Sequence, residues 1–149
     1  MTEDTISVFI DGVVRYFNHT SDKDVSVGTP YLVGNKSPAS HDYTGIISIT
    51  GPLRGCVYFT APKILVKHLL MSIGEPDTGE ANILDLVGEV ANTVAGNARR
   101  SFGSEFVISV PIVIEGEPST IHLPADLRSY VIPIQWKSYK AAVVVCLQS

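Results

Sequence analysis

The sequence predicts an α+β fold in which helices pack on one antiparallel sheet, because helical and strand-like patterns occupy separate blocks of the chain. The order is a helix, a hairpin, two further helices and then strands. With 149 residues, of which 45% are hydrophobic, the chain is long enough to bury one core. No repeat or linker divides it, so we expect a single domain over residues 1–149.

The first helix is predicted by six apolar residues that recur at the spacing of one helical face. They are Ile6, Phe9, Ile10, Val13, Val14 and Phe17. The polar residues 18–43 contain glycines and prolines, which predict a long connection with one short strand at Tyr31–Val33. A hairpin follows, with strands at Tyr43–Thr50 and Cys56–Ala61 on either side of a turn that contains glycine and proline.

Two helices are predicted after this hairpin. Thr60 is the expected N-cap of the second helix, and Pro62 is expected in its first turn. Asp77, followed three residues later by Glu80, has the capping-box pattern. This pattern predicts the start of a third, long helix around residues 80–102.

Strands are predicted for the last third of the chain. The apolar run Glu105–Glu115 is interrupted by Pro111, and a short strand is expected at Ser119–Leu123. Two longer strands, Leu127–Trp136 and Tyr139–Leu147, are separated by only two residues, which is enough for a tight hairpin.

Charge and hydropathy exclude several classes of function. The net charge of −4 gives no basic field that would hold a phosphate backbone, so we expect no nucleic-acid partner. No apolar run approaches the roughly 18 residues of a membrane span, so we expect no membrane association. The acidic start, Met1-Thr2-Glu3-Asp4, is unlike the basic start of a signal peptide. A cytoplasmic location is therefore expected.

Metal and nucleophile chemistry have no clear basis in the sequence. Cys56 and Cys146 lie far apart in apolar, strand-like runs, which predicts buried thiols without a disulfide. The histidines are scattered, and no His/Cys cluster has metal-ligand spacing, so we expect no metal or cofactor of the protein's own. No serine lies in a Gly-x-Ser-x-Gly elbow, which argues against a serine nucleophile.

The third predicted helix carries a narrow polar stripe. Because successive helical residues turn by about 100°, Asp85, Glu89, Asn92 and Gly96 fall on one side of the wheel. The apolar residues fall on the other side, as a core-facing surface requires; they are Leu86, Val87, Val90, Ala91, Val94 and Ala98. A glycine inside a helix costs about 1 kcal/mol relative to alanine. Gly96 therefore suggests that another molecule approaches this face closely.

The two functional groups of the stripe suit a positioning role. Glu89 can accept hydrogen bonds or pair with a partner's cation, and the Asn92 amide can hold and orient a water molecule. Orientation can supply several kcal/mol when a water must attack in line, as in hydrolysis of a phosphoryl group held by another protein. The alternative is that the stripe is only a solvated helix face.

The segment Gly88-Glu89-Val90-Ala91-Asn92-Thr93-Val94-Ala95-Gly96 resembles the E-x-x-N-x-x-x-G signature of the CheC/CheX/FliY chemotaxis phosphatases. The hairpin at Ile46–Gly55 is similar to the first hairpin of that family. The strands around Val107–Pro111 and Val131–Ile134 occupy the expected places. The resemblance covers nearly the whole chain from the first helix onward.

This resemblance implies a protein that dephosphorylates the aspartyl phosphate of a CheY-type response regulator. Carried over, Glu89 would pair with the active-site lysine of the regulator, and Asn92 would orient the attacking water. Asp85 and Gly96 would belong to the partner-binding surface, with Gly96 permitting close approach. Mg²⁺ would stay with the regulator.

Only one Glu-x-x-Asn signature is present, at Glu89, whereas CheC-type members carry two. This difference favours a CheX-like member, and the resemblance to CheX implies a homodimer. Two other readings stay open: a non-catalytic module that binds a response regulator as an adaptor, and a structural dimerisation domain whose twin subunit buries the stripe.

Three polar residues at the end of the stripe, Asn97, Arg99 and Arg100, are not assigned to the site. Asn97 points about 100° away from Gly96 and is left out of the site. Arg99 and Arg100 are favoured as solvated cations at a helix end, with contact to an acidic regulator surface as the alternative.

Overall fold

The structure is a computed structural model that describes residues 3–19, 25–34, 40–116, 123 and 127–148. These residues form three helices and eight strands, joined by turns and loops. In chain order the elements are α1 (Glu3–His19), β1 (Val25–Val27), β2 (Tyr31–Gly34), β3 (Tyr43–Thr50), β4 (Arg54–Ala61), α2 (Lys63–Ser72), α3 (Glu80–Phe102), β5 (Val107–Ile108), β6 (Ile112–Glu115), β7 (Arg128–Trp136) and β8 (Tyr139–Gln148).

All strand pairs of the sheet are antiparallel. The central strands follow the order β7-β8-β4-β3. Both β1 and β2 pair with β7 at one edge, and both β5 and β6 pair with β3 at the other. The hairpins β3–β4 and β7–β8 therefore form the centre of the sheet, and short strands form its edges.

The helices pack on one face of this sheet, which confirms the predicted α+β fold. The longest helix, α3, contacts α1 and α2 as well as β3 and β4. Phe9 of α1, Leu65 of α2 and Val87 of α3 share one buried cluster with Ile47 of β3 and Val143 of β8. The opposite face of the sheet carries a smaller buried cluster, formed by Tyr58, Val131, Ala142 and Val144.

Most predicted elements are confirmed. The apolar stripe of the first helix lies in α1, with Ile6, Phe9, Val13 and Phe17 buried. Both predicted hairpins form, and Lys137 in the second turn has a φ of 53°. The break expected at Pro111 separates β5 from β6. Of the short strand expected at Ser119–Leu123, only Leu123 lies within the described residues, and it is not in a strand.

The predicted start of the second helix is wrong. Thr60 is a buried residue of β4, where its hydroxyl accepts a hydrogen bond from the amide of His41 at 2.7 Å. The N-cap of α2 is Pro62, which has no side-chain cap bond. Instead, Asp42 accepts a hydrogen bond from the Lys63 amide at 2.9 Å. The helix is thus capped by a residue distant in sequence, which local pattern reasoning does not detect.

The capping box predicted for the third helix is also wrong. Gly79 is the N-cap of α3 and makes no side-chain cap bond. The Asp77 carboxylate accepts a hydrogen bond from the Gly79 amide at 2.9 Å, which ties the preceding turn together. Glu80 instead accepts a hydrogen bond from the hydroxyl of Tyr43 at 2.8 Å, which attaches the first turn of α3 to β3.

The two cysteines are cross-strand neighbours. Cys56 on β4 pairs in register with Cys146 on β8, and neither forms a disulfide. Cys146 is buried as predicted, but Cys56 is only half-buried. Burial raises the pKa of the Cys56 thiol to about 12. This thiol is therefore a poor nucleophile at neutral pH, because the thiolate is the reactive form.

Candidate functional site

The polar stripe of α3 faces away from the core. Asp85, Glu89 and Asn92 are exposed, and Gly96 is half-buried. The apolar residues assigned to the opposite side are all buried; they are Leu86, Val87, Val90, Ala91, Val94 and Ala98. The helix thus places a carboxylate and an amide, one turn apart, on a surface that another protein can reach.

Gly96 has no internal packing reason to be glycine. Among the described residues, no heavy atom outside the local backbone lies within 4 Å of a Cβ built on Gly96. By contrast, a Cβ on Gly88 would stand 3.2 Å from Val113 and 3.6 Å from Pro111. Gly88 therefore permits close packing of α3 against the β5–β6 segment, whereas the missing side chain of Gly96 leaves open space at the surface.

A groove of about 480 Å³ borders the stripe on the side of α1. From α3 it is lined by Glu89, Thr93, Asn97 and Arg100, which follow one another at intervals of three or four residues. Glu89 belongs both to the stripe and to this groove. The two surfaces are therefore continuous.

The wall of this groove on the α1 side contains Tyr16 and Arg15. The Tyr16 ring packs edge-on against Phe17, with 5.1 Å between the ring centroids. Burial raises the pKa of the Tyr16 hydroxyl above its usual range, and the negative charge of Glu89 raises it further. Tyr16 is therefore a neutral, half-buried group beside the Glu89 carboxylate.

The β5–β6 segment borders α3 on its other side. Pro111 and Val113 lie against Gly88, and the Arg99 Nε donates a hydrogen bond to the carbonyl oxygen of Phe106 at 3.2 Å. On the helical wheel, Asn92 lies between Glu89 and Gly88. The stripe is thus a ridge with α1 on the side of Glu89 and the β5–β6 segment on the side of Asn92.

Arg100 and Asn97 line the groove, although Asn97 was predicted to lie outside the site and the favoured role of Arg100 was that of a solvated cation. Arg100 donates a hydrogen bond to the Asn97 side-chain oxygen. A Cβ on Gly12 of α1 would lie 3.4 Å from the Asn97 Cβ, so the two helices approach closely at this point. The four-residue spacing of Glu89, Thr93 and Asn97 places them on one side of α3, and this pattern was visible in the sequence. It would predict a groove only if the packing of α1 beside α3 were already known.

The described residues contain no group of three or more histidine, cysteine, aspartate or glutamate side chains that could hold a metal ion. Within the same part of the chain, none of the three helices combines the length and hydropathy of a membrane span.

This architecture is shared with two solved CheC-like proteins. A CheC-like superfamily protein from Shewanella sp. PV-4 is 26% identical, with a TM-score of 0.83 and full coverage of both chains. A chemotactic CheC-like protein from Shewanella oneidensis MR-1 is 25% identical, with a TM-score of 0.83, and the match covers 99% of this chain and 100% of that one. The chain therefore has the fold of these CheC-like proteins.

The family is given by the sequence model of the chemotaxis phosphatase CheX, which matches residues 43–135. Because this match spans more than half of the chain, the protein belongs to the CheX family. The same fold occurs in the CheX–CheY–BeF3–Mg²⁺ complex from Borrelia burgdorferi. That match has 18% identity and a TM-score of 0.80, and it covers 99% of this chain and 100% of the other. Comparison with curated proteins gave no match.

Proposed function

We propose that this protein accelerates hydrolysis of the aspartyl phosphate of a CheY-type response regulator. The observation that carries the proposal is the joint exposure of Glu89 and Asn92 on one face of α3, in a chain of the CheX phosphatase family. The complex of Borrelia burgdorferi CheX with CheY supports the choice of partner.

Glu89 has the chemistry of a docking residue. Its exposed carboxylate would pair with the lysine of the regulator's phosphorylation site, and this contact would fix the orientation of α3 across that site. Asp85, one turn earlier on the same exposed face, would contribute to the partner surface. Gly96 would let the regulator approach the helix backbone, in agreement with the open space around its Cα.

Asn92 would act by positioning water. An amide has no useful acid–base chemistry near neutral pH, but its oxygen can accept a hydrogen bond from a water molecule and its NH₂ group can donate one. The held water would attack phosphorus in line with the bond to the aspartyl oxygen. That bond would break, releasing the regulator's aspartate carboxylate and inorganic phosphate, and the proton of the water would leave with the phosphate or to solvent.

Charge stabilisation would come from the regulator. The Mg²⁺ expected in this reaction would bind to the carboxylates and phosphoryl oxygens of the partner, since Mg²⁺ prefers oxygen ligands. Phosphoryl-transfer catalysis depends mainly on orientation and on charge stabilisation. This chain would supply the orientation, together with a docking charge, and the regulator would supply the charge stabilisation.

We also propose that the protein forms a homodimer. The edge strands expose large apolar side chains in the described residues, among them Tyr31 and Leu32 on β2, Val107 on β5 and Ile112 on β6. Light scattering should give about twice the monomer mass of 16.1 kDa. A Gly96→Cys variant should not form crosslinks between copies, because the stripe must stay free for the regulator. Self-crosslinking at this position would support a dimerisation role for the stripe and oppose the docking role.

The test of function is the decay of a phosphorylated CheY-type regulator in the presence of Mg²⁺. Three samples should be compared with the regulator alone: the wild-type protein, Glu89→Gln, and Glu105→Gln as a matched control at an exposed position outside the groove. Binding of the phosphorylated regulator should be measured for each sample. We expect wild type and Glu105→Gln to shorten the phosphate lifetime, and Glu89→Gln to do so only at higher protein concentration.

Each outcome separates the candidate functions. Faster decay with wild type, together with weaker binding of the regulator by Glu89→Gln, supports a phosphatase that docks through Glu89. Binding by wild type without any change in phosphate lifetime would contradict the phosphatase and support an adaptor. Absence of both binding and acceleration would contradict the choice of partner.

A further inference from the structure

The groove between α1 and α3 has a positive net charge, unlike the chain as a whole. Among the described residues that line it, Arg15 and Arg100 are the cations and Glu89 is the one carboxylate. The whole chain, by contrast, has a net charge of −4. Both arginines are exposed. Arg100 donates to the neutral amide oxygen of Asn97, a contact that leaves its charge uncompensated.

The two helices hold these guanidinium groups on the same side of the stripe. Arg15 projects from α1 and Arg100 from the last turns of α3. The close approach of α1 and α3 at Gly12 and Asn97 fixes the distance between the two helices. Arg99, which precedes Arg100, is directed elsewhere, because its Nε binds the carbonyl oxygen of Phe106.

We propose that Arg15 and Arg100 bind acidic side chains at the rim of the regulator's phosphorylation site. This inference rests on the proposed function, since the groove shares Glu89 with the docking stripe. A site that holds an aspartyl phosphate together with Mg²⁺ needs carboxylates to bind the metal, so its surroundings are negatively charged. A regulator that sits on the stripe would therefore bring negative charge next to the cationic groove.

The arginines also complete the charge pattern of the docking surface. Glu89 attracts a lysine, and the guanidinium groups beside it attract carboxylates, so the two kinds of contact select one orientation of the partner. Guanidinium groups suit this task because they can bind carboxylates through two parallel hydrogen bonds. Such rim contacts act on binding and on the rate of encounter, and they leave the chemical step unchanged.

The experiment measures steady-state dephosphorylation over a range of phosphorylated regulator concentrations. The variants are Arg15→Glu, Arg100→Glu and their combination, with Arg54→Glu as the matched control at an exposed position outside the groove. We expect each single variant to raise KM about three- to tenfold, with kcat within about twofold of wild type. The combination should raise KM further, and Arg54→Glu should behave like wild type.

Two further measurements identify charge as the cause. Arg15→Lys and Arg100→Lys keep the positive charge but lose the paired hydrogen bonds, so their KM values should lie between those of wild type and of the glutamate variants. Added salt should weaken the dependence of kcat/KM on these arginines, because exposed charges are screened over about 10 Å at 0.1 M ionic strength. A KM for the double variant equal to that of Arg54→Glu would overturn the proposal, as would a fall in kcat with no change in KM.

The measurements of phosphate lifetime and of binding distinguish failure of the proposed function from failure of the proposed role of the arginines. If wild type binds the phosphorylated regulator but does not shorten its phosphate lifetime, the proposed function fails, and the same variants test the arginines through their dissociation constants. An unchanged dissociation constant for the double variant would then overturn the inference. If wild type does not bind the regulator, both proposals fail together.

Discussion

The carbonyl oxygen of Val87 on α3 lies so close to Gly45 on β3 that a Cβ built on Gly45 would stand 2.9 Å from it. Val87 is also fully buried. The helix therefore rests directly on the strand at this point, just before the segment that carries Glu89 and Asn92. This contact helps to turn the polar stripe of α3 toward solvent.

A side chain at Gly45 should displace α3. Because the obstructing atom is backbone and cannot rotate away, we expect Gly45→Ala to lower the free energy of unfolding by about 1–3 kcal/mol. Denaturant unfolding would measure this loss. Gly34→Ala is the matched control, since a Cβ on that strand residue would meet none of the atoms in the described part of the chain within 4 Å. Equal stability of the two variants would contradict the close contact between α3 and β3.

A side chain at Gly96 should have opposite effects on stability and on function. Alanine is favoured over glycine inside a helix by up to about 1 kcal/mol, and the space around Gly96 is open. We therefore expect Gly96→Ala to raise the free energy of unfolding and, at the same time, to weaken binding of the phosphorylated regulator. Unfolding and binding curves on the same sample would test this. Wild-type binding by the stabilised variant would show that Gly96 is not needed for close approach.

The charge of Glu89 should be detectable at Tyr16. Burial is the main reason why the pKa of Tyr16 is raised, and the Glu89 carboxylate adds to it. In Glu89→Gln, Tyr16 should therefore ionise at lower pH than in wild type, but still at higher pH than a solvent-exposed tyrosine. Tyrosinate absorbance, with Tyr16→Phe to assign the signal, would measure the difference. An unchanged titration in Glu89→Gln would contradict the proximity of the two groups in the groove.

A carboxyl pair at the start of α3 should make stability depend on pH. A hydrogen bond to Glu80 and the charge of Glu80 raise the pKa of Glu115. The protonated form of Glu115 is therefore favoured in the folded state, and this contribution is lost as pH rises through the raised pKa. We expect Glu115→Gln to be more stable than wild type at pH 7, because it removes the repulsion with Glu80.

The advantage of Glu115→Gln should shrink as the pH is lowered toward about 4, where the wild-type carboxyl is also protonated. Denaturant unfolding at several pH values would measure it, and Glu105→Gln is the control. A stability difference that does not change with pH would contradict the carboxyl pair.

The sequence contained enough information to predict the helices, the two hairpins and the exposed stripe. Local periodicity places Leu86, Val87 and Val90 on the buried face of α3 and Glu89 on the exposed face, and a strong period of this kind survives tertiary packing. The turn at Lys137 also depended only on neighbouring residues. These features were predictable because their causes are local.

The features that were missed depend on residues far apart in sequence. Asp42, which precedes β3, caps α2, and β1 pairs with β7, so neither arrangement has a local signal. The groove beside Glu89 forms only because α1 packs along α3, which brings Gly12 close to Asn97 and places Arg15 and Tyr16 in the wall of the groove. The sequence pattern identified the ridge of α3 that carries Glu89 and Asn92. It could not identify α1 as the element that forms the groove beside this ridge.

Orientation of the attacking water by Asn92 should be visible in the rate of phosphate release at saturating regulator. Wild type should be compared with Asn92→Ala and with Asn18→Ala, a matched truncation at an exposed position of α1 outside the groove. Because Asn92 is proposed to orient water, we expect Asn92→Ala to lower kcat about 100-fold with little change in KM. Asn18→Ala should retain wild-type activity. A kcat for Asn92→Ala equal to that of wild type would contradict the account.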